Sequence, residues 1–171
     1  MAQAQSEKDT LRALMKEFHS GMLVTRSADG LMAARPMAVA KLEDDDDLFF
    51  ATSIASGKVS DIQGDHQAAV TFQSEAAYIA VSGVARVVTD RSKIQAYFRE
   101  SMKVWFPEGA DDPSLCLIQL RPSHAEFWDM QSTKGLRYVF EAAKSFVSGA
   151  TPDAKEAKQG QHGEVGTPRA P

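Results

Sequence analysis

Tyr78-Ile79-Ala80-Val81-Ser82-Gly83-Val84-Ala85-Arg86-Val87-Val88 reads as one long β-strand. Branched and small residues dominate it, no proline interrupts it, and Gly83 at its centre marks a bulge or bend. Shorter runs of the same kind flank it on both sides. Toward the N-terminus lie Ala68-Ala69-Val70-Thr71-Phe72, Leu48-Phe49-Phe50-Ala51-Thr52, the stretch from Leu31 to Ala40, and Met22-Leu23-Val24-Thr25. Toward the C-terminus, Leu115 to Leu120 and His124 to Trp128 complete the set as two strands. Ser27-Ala28-Asp29-Gly30 is turn chemistry that joins the first two strands as a hairpin. Six or so short strands, mostly hairpin-linked and without long crossovers, specify a small antiparallel barrel with helices at its mouths rather than a parallel sheet.

The remaining segments supply those helices. Ser6 is the expected N-cap of a first helix, with Leu11, Leu14, Met15 and Phe18 at helical spacing and Gly21 as its stop. Ser56 caps a short second helix through Ile62, and Thr89 to Glu100 forms a third around Ile94, Tyr97 and Phe98. Trp105-Phe106-Pro107 opens a turn-rich loop, and Leu136 to Val147 fits a last helix. Residues 1–148 form the folded domain, and residues 149–171, poor in large apolar side chains, are expected to be disordered. The acidic run Glu43-Asp44-Asp45-Asp46-Asp47 lacks the spaced ligands and glycine of a calcium loop and reads as a solvated hairpin tip.

Composition removes several function classes. The chain has 171 residues, a net charge of −4 and one cysteine, so a disulfide framework and a multi-cysteine zinc module are excluded. Cys116, inside an apolar run, reads as a buried inert thiol. Scattered basic residues and mild acidity argue against nucleic acid, and no apolar run approaches membrane-spanning length. A cytoplasmic protein is expected. No Gly-x-Gly-x-x-Gly, phosphate-loop or zinc-protease motif is present, and the four histidines lie far apart.

Three local features carry chemistry. Arg35-Pro36-Met37 places a proline inside a strand, which confines that stretch to an edge or bulge and leaves backbone groups available. Thr52-Ser53-Ile54-Ala55-Ser56-Gly57-Lys58 brings hydroxyls, a glycine, a lysine and a helix N-terminus within seven positions, a set suited to a phosphate dianion. Trp105 and Trp128 stand at a loop and a strand end, either as core or interface residues or as covers for a flat ring. Together they describe a ligand with a phosphate at one end and a planar heteroaromatic at the other, the shape of flavin mononucleotide (FMN).

The order Thr25-Arg26, Arg35-Pro36-Met37, Leu48 to Thr52, Ser56-Gly57-Lys58-Val59, Val81 to Val87, Trp105-Phe106-Pro107 and Ala125 to Asp129 resembles the general stress protein branch of the pyridoxamine-phosphate-oxidase-like split-barrel flavoproteins. The resemblance covers about residues 7–148. It implies a six-stranded antiparallel split barrel with three to five flanking helices, a homodimer, and FMN in the groove between subunits. It further implies Arg35 and Lys58 as cationic phosphate contacts, Thr52 and Ser56 as hydroxyl partners, and Phe50, Ala51 and Gly57 as neighbours of the cofactor. Pro36 and Met37 would lie along the ring, and Trp105 and Trp128 would reach it across the dimer. Lys41 and Tyr97 fall at positions that hold substrate in the oxidases.

The departures from the oxidase pattern concern phosphate contacts. Gly57 replaces an arginine of the phosphate loop, Ser101 replaces a helix arginine, and Lys134-Gly135-Leu136 occupies the region of an Arg-x-His. Serine and leucine cannot make the bidentate contact of a guanidinium, so pyridoxamine phosphate oxidase activity is expected to be weak or absent. Within this resemblance the readings that stay open are an FMN-dependent oxidoreductase with an unassigned substrate and electron donor, a non-catalytic flavin-buffering protein, and a barrel holding a deazaflavin or no cofactor.

Overall fold

A computed structural model describes residues 2–130 and 161–166 of the chain. In chain order the elements are α1 (Ala2–Glu17), β1 (Ser20–Arg26), β2 (Met32–Leu42), β3 (Leu48–Ser53), α2 (Gly57–Gly64), β4 (Gln67–Gln73), β5 (Ala77–Val88), α3 (Arg91–Tyr97), β6 (Leu115–Asp129) and β7 (Gln161–Gly166). Two 3-10 turns, Glu100–Val104 and Gly109–Asp111, lie between α3 and β6. All strand pairings are antiparallel. The order β3-β2-β1-β4-β5-β6 closes through β3–β6 pairing into the expected six-stranded barrel.

The barrel interior holds Leu23, Leu48, Phe50, Val70, Phe72, Ile79, Val81, Ile118, Leu120 and Phe127, with Leu11 and Met15 of α1 packed onto the same cluster. A second cluster, Phe49, Ile94, Met102, Phe106, Leu115 and Leu117, lies beneath α3 and the first 3-10 turn. Phe49 and Phe50 are both fully buried because side chains alternate across a strand and β3 has a core on each face.

Several sequence expectations need correction. Helix α1 begins at Ala2, so Ser6 is inside it rather than capping it. It ends at Glu17, and Gly21 belongs to β1, where a Cβ would come within 2.8 Å of both Phe72 and Val70. The third helix is shorter than expected, capped by Asp90, whose carboxylate accepts from the Ser92 and Lys93 amides.

The two C-terminal strands are one fifteen-residue strand, β6. Pro122 does not break it because the ladder is irregular there on both edges. On one edge β3 pairing stops at Leu120 and β7 pairing starts at His124; on the other, the register with β5 shifts between Ser82 and Gly83. That shift is the bulge anticipated at Gly83, where a Cβ would lie 2.0 Å from the Arg121 carbonyl oxygen.

Within the 149–171 stretch expected to be disordered, Gln161–Gly166 form strand β7. These residues take up the row of backbone groups that β3 leaves bare on the second half of β6. Pairing of this kind draws on backbone bonds, so apolar composition gave no signal of it. The expected helix at Leu136 to Val147 lies outside the described residues.

The acidic turn is also more engaged than a solvated tip. The Arg12 guanidinium donates to the Glu43 and Asp44 carbonyls and pairs with Asp46 at 2.6 Å and Asp44 at 2.8 Å. Lys8 pairs with Asp46, Lys93 with Glu43, and buried Asp47 accepts from the Gln119 amide. Five adjacent carboxylates attract the cations that α1 and α3 present to them. No helix among the described residues is long and apolar enough to cross a membrane.

Candidate functional site

Strand β2 has two halves. From Met32 to Ala38 it pairs with β1 alone; pairing with β3 involves only Val39, Lys41 and Leu42, with a register shift at Ala40. Pro36 therefore stands on a free edge, where its missing N–H costs little. Beside that edge opens a cavity of about 520 Å³. Its walls are Pro36, Met37 and Ala38 of β2, Ala51, Thr52 and Ser53 of β3, Ser56 and Lys58 at the start of α2, Met102, Trp105 and Phe106 in and just after the 3-10 turn that follows α3, and Ser114.

At the α2 end the cavity is polar. The Lys58 ammonium donates to Thr52 Oγ1 at 3.0 Å, and the Thr52 and Ser56 hydroxyls are 3.3 Å apart. Ser56 is the N-cap in extended backbone, but its side chain makes no capping bond. The hydroxyl is turned to Thr52 instead; the Val59 N–H is taken by the Ser56 carbonyl at 2.9 Å, and the Gly57 and Lys58 N–H groups stand at the positive end of the helix. Partial burial lowers the Lys58 pKa, and the Arg35 cation lowers it further. Cys116, paired with Thr52 across β3–β6, has its thiol pushed up to about 11 by burial, the inert behaviour its apolar setting implied.

Arg35 belongs to a neighbouring cluster. Its guanidinium donates to Thr25 Oγ1 at 2.5 Å and to Asp61 Oδ2 at 2.9 Å, and the Thr25 hydroxyl donates to the same Asp61 oxygen at 2.7 Å. These three side chains link β1, β2 and α2 in a closed ring of bonds. Sequence reading missed Thr25 and Asp61 as parts of the site, along with Met102, Phe106 and Ser114. One signal was available: Asp61 lies three residues after Lys58 and therefore on the same side of α2.

The rest of the lining is largely apolar and aromatic. Trp105, 69% exposed, and Phe106 frame it with Met102. Thus Pro36, Met37, Ala51, Thr52, Ser56, Lys58 and Trp105 come together around one space. Gly57 opens α2 but does not line the cavity, and Phe50 is wholly within the barrel core. Trp128 lies on the far half of β6, opposite Tyr78 of β5, away from its own chain's cavity.

Lys41 and Tyr97 occupy an acidic neighbourhood instead. Lys41 lines a second hollow of about 390 Å³ with Glu43, Asp44 and Asp45. The Tyr97 hydroxyl donates to Glu43, and that bond raises its pKa to about 12. Ser101 is exposed, and its hydroxyl carries no positive charge. Carboxylate oxygens of Glu43, Asp45 and Asp47 approach within 4.8 Å of one another, but Lys93, Tyr97 and Gln119 already bond to two of the three.

Comparison with known proteins agrees with this architecture. The model of the family described as pyridoxamine 5'-phosphate oxidase like matches residues 6–153. Protein bli-3 of Neurospora crassa is 27% identical over 168 residues, covering 91% of this chain and 79% of that protein. The general stress protein 26 from Bacillus anthracis superposes with a TM-score of 0.64 at 24% identity, over 70% of this chain and 92% of that one. The general stress FMN/FAD binding protein of Xanthomonas citri gives 0.58 at 26% identity, over 67% and 82%. The chain belongs to the pyridoxamine 5'-phosphate oxidase-like family.

Proposed function

We propose that this protein binds FMN in the cavity between the free edge of β2 and the start of α2, as one half of a homodimer. The observation that carries the reading is the polarity of that cavity. A lysine, two hydroxyls and a helix N-terminus make one part of its lining, and Trp105, Phe106 and Met102 another. A phosphate dianion suits the first set through charge-assisted bonds, and a planar ring suits the second. The backbone of Pro36 to Ala38, unpaired on the β3 side, supplies groups for the polar edge of the ring. The description of the Xanthomonas citri relative as FMN/FAD binding supports the same cofactor class.

The dimer reading rests on surface left bare in one chain. Val104 is 78% exposed, Trp105 69% and Met22 40%, and they adjoin the exposed β2 residues Pro36 and Ala38 near the cavity rim. Contiguous apolar surface of this kind favours burial against a second subunit. The far position of Trp128 fits a residue that serves a partner's cavity rather than its own.

Any redox chemistry would come from the flavin when bound; this chain's residues would hold the phosphate, wall the ring and limit water. Pyridoxamine phosphate is a poor fit as substrate. Of the two residues that would receive it, Tyr97 has its hydroxyl committed to Glu43, and Lys41 shares its hollow with Glu43, Asp44 and Asp45, whose carboxylates compete with a phosphate for its charge. The test is a visible absorption spectrum of the protein after loading with excess FMN and desalting. A retained two-band flavin spectrum at one FMN per chain is the expected result. A colourless protein would overturn the proposal.

A further inference from the structure

Lys58 lines the polar end of the cavity and Arg35 stands in the cluster beside it, and the two cations are held in different ways. Lys58 reaches the cavity from the first turn of α2 and bonds only to Thr52. Arg35 comes from β2 and is tied down by two acceptors, Thr25 Oγ1 and Asp61 Oδ2. An arginine on a free strand edge has many rotamers, and fixing it costs side-chain entropy unless bonds of this kind hold it beforehand. The Asp61 side chain is 13% exposed and that of Arg35 23%, so the pair is shielded from much of the solvent that weakens surface ion pairs. Thr25 is wholly buried, and its hydroxyl serves as donor to Asp61 and acceptor from Arg35 at once. The ring of bonds takes two of the five guanidinium N–H donors and leaves the rest for an incoming anion. Arg35 lies two residues before Met37 of the cavity wall, on the same face of β2, and Asp61 lies one turn after Lys58 on α2.

Building on the flavin reading above, we infer that Asp61, through Thr25 and Arg35, is a positioning residue that sets the preference of the cavity for a phosphorylated flavin over the same flavin without its phosphate. Asp61 touches neither the ring nor the phosphate in this arrangement. It acts by holding the guanidinium at the site in advance, so that phosphate binding does not have to order it. Its own negative charge opposes the phosphate, which is why an uncharged acceptor at the same position separates placement from charge.

The experiment is a fluorescence titration of the full chain with FMN and with riboflavin, which differ only in the phosphate. The parent is expected to bind FMN at least tenfold more tightly than riboflavin. Asp61→Ala is expected to reduce that ratio about tenfold through FMN affinity alone, with riboflavin affinity held within twofold. Asp61→Asn keeps an acceptor for Arg35 and is expected to hold or raise the ratio. Thr25→Val, nearly isosteric at a buried position, removes one link of the ring and lowers the ratio about threefold; it carries the test if Asp61→Ala does not fold. An unchanged ratio in both Asp61→Ala and Thr25→Val, or an equal loss of the two flavins, overturns the inference and assigns Asp61 a purely structural role. A parent that binds neither flavin, or both equally, overturns the phosphate reading of the cavity itself.

Discussion

Lys58→Met separates the function of this residue from its effect on folding, because the two should move in opposite directions. Methionine keeps the unbranched stem and removes the ammonium. In the folded protein that ammonium carries a desolvation cost and repulsion from Arg35, seen in its lowered pKa, against a single 3.0 Å bond to Thr52. Thr52 retains the Ser56 hydroxyl as neighbour after the change. Discounted for the solvent that still reaches the side chain, the net relief is about 0.5 kcal/mol, or a Tm rise of roughly 1–2 °C for a chain of this size. For FMN the sign reverses. A charge-assisted bond to phosphate contributes about 1.5–3 kcal/mol, so affinity should fall about 10- to 150-fold. The parent's affinity should also decline as pH rises through the Lys58 pKa, which lies below 10.5, while the variant's profile stays flat there. Thermal melts of the flavin-free protein and fluorescence titrations across pH measure both effects. A variant that melts lower than the parent and binds FMN equally well would refute the placement of this lysine.

Two further expectations rest on other parts of the fold. The Cys116 thiol has its pKa raised from 9.0 to about 11, so the folded state holds its proton where the unfolded chain releases it. The stability linked to this group is complete below pH 9 and is lost as pH rises toward 11, by at most about 2–3 kcal/mol. Denaturant titrations at pH 8 and 10.5 should therefore show a smaller loss in Cys116→Ala than in the parent, and parallel losses would contradict this account. A side chain at Gly163 would meet the Phe127 ring at 2.2 Å. Overpacking of that kind costs about 1–3 kcal/mol, so Gly163→Val should speed amide exchange in residues 124–129 by about tenfold while 115–120, paired with β3, stay protected. Equal protection of both segments in the variant would show that β7 accommodates the change.

The barrel was legible because its strands advertise themselves locally. Gly83 announced the bulge, Pro36 announced an edge, and Ser27 to Gly30 announced a hairpin. Ser56 marked the start of α2, and the hydroxyl–lysine cluster around it does gather at one cavity. What escaped notice depends on partners distant in sequence. Nothing near Glu43 to Asp47 shows that Arg12, Lys93 and Gln119 converge there, so a paired turn looked like a solvated one. Arg35 was visible as a cation, but its ring with Thr25 and Asp61 spans 36 residues. β7 left no trace in composition because its pairing is made through backbone groups.

The division of β6 between β3 and β7 also bears on solubility. Without β7, residues 124–129, still paired with β5 on one side, would present a bare edge six residues long beside an apolar core, a template for another chain's strand. β7 is joined to that edge by the same polypeptide, so it competes at a local concentration on the order of millimolar, against micromolar for neighbouring molecules. The chain thus carries its own edge protector, and a truncation ahead of Gln161 would convert a closed barrel into one with a sticky side.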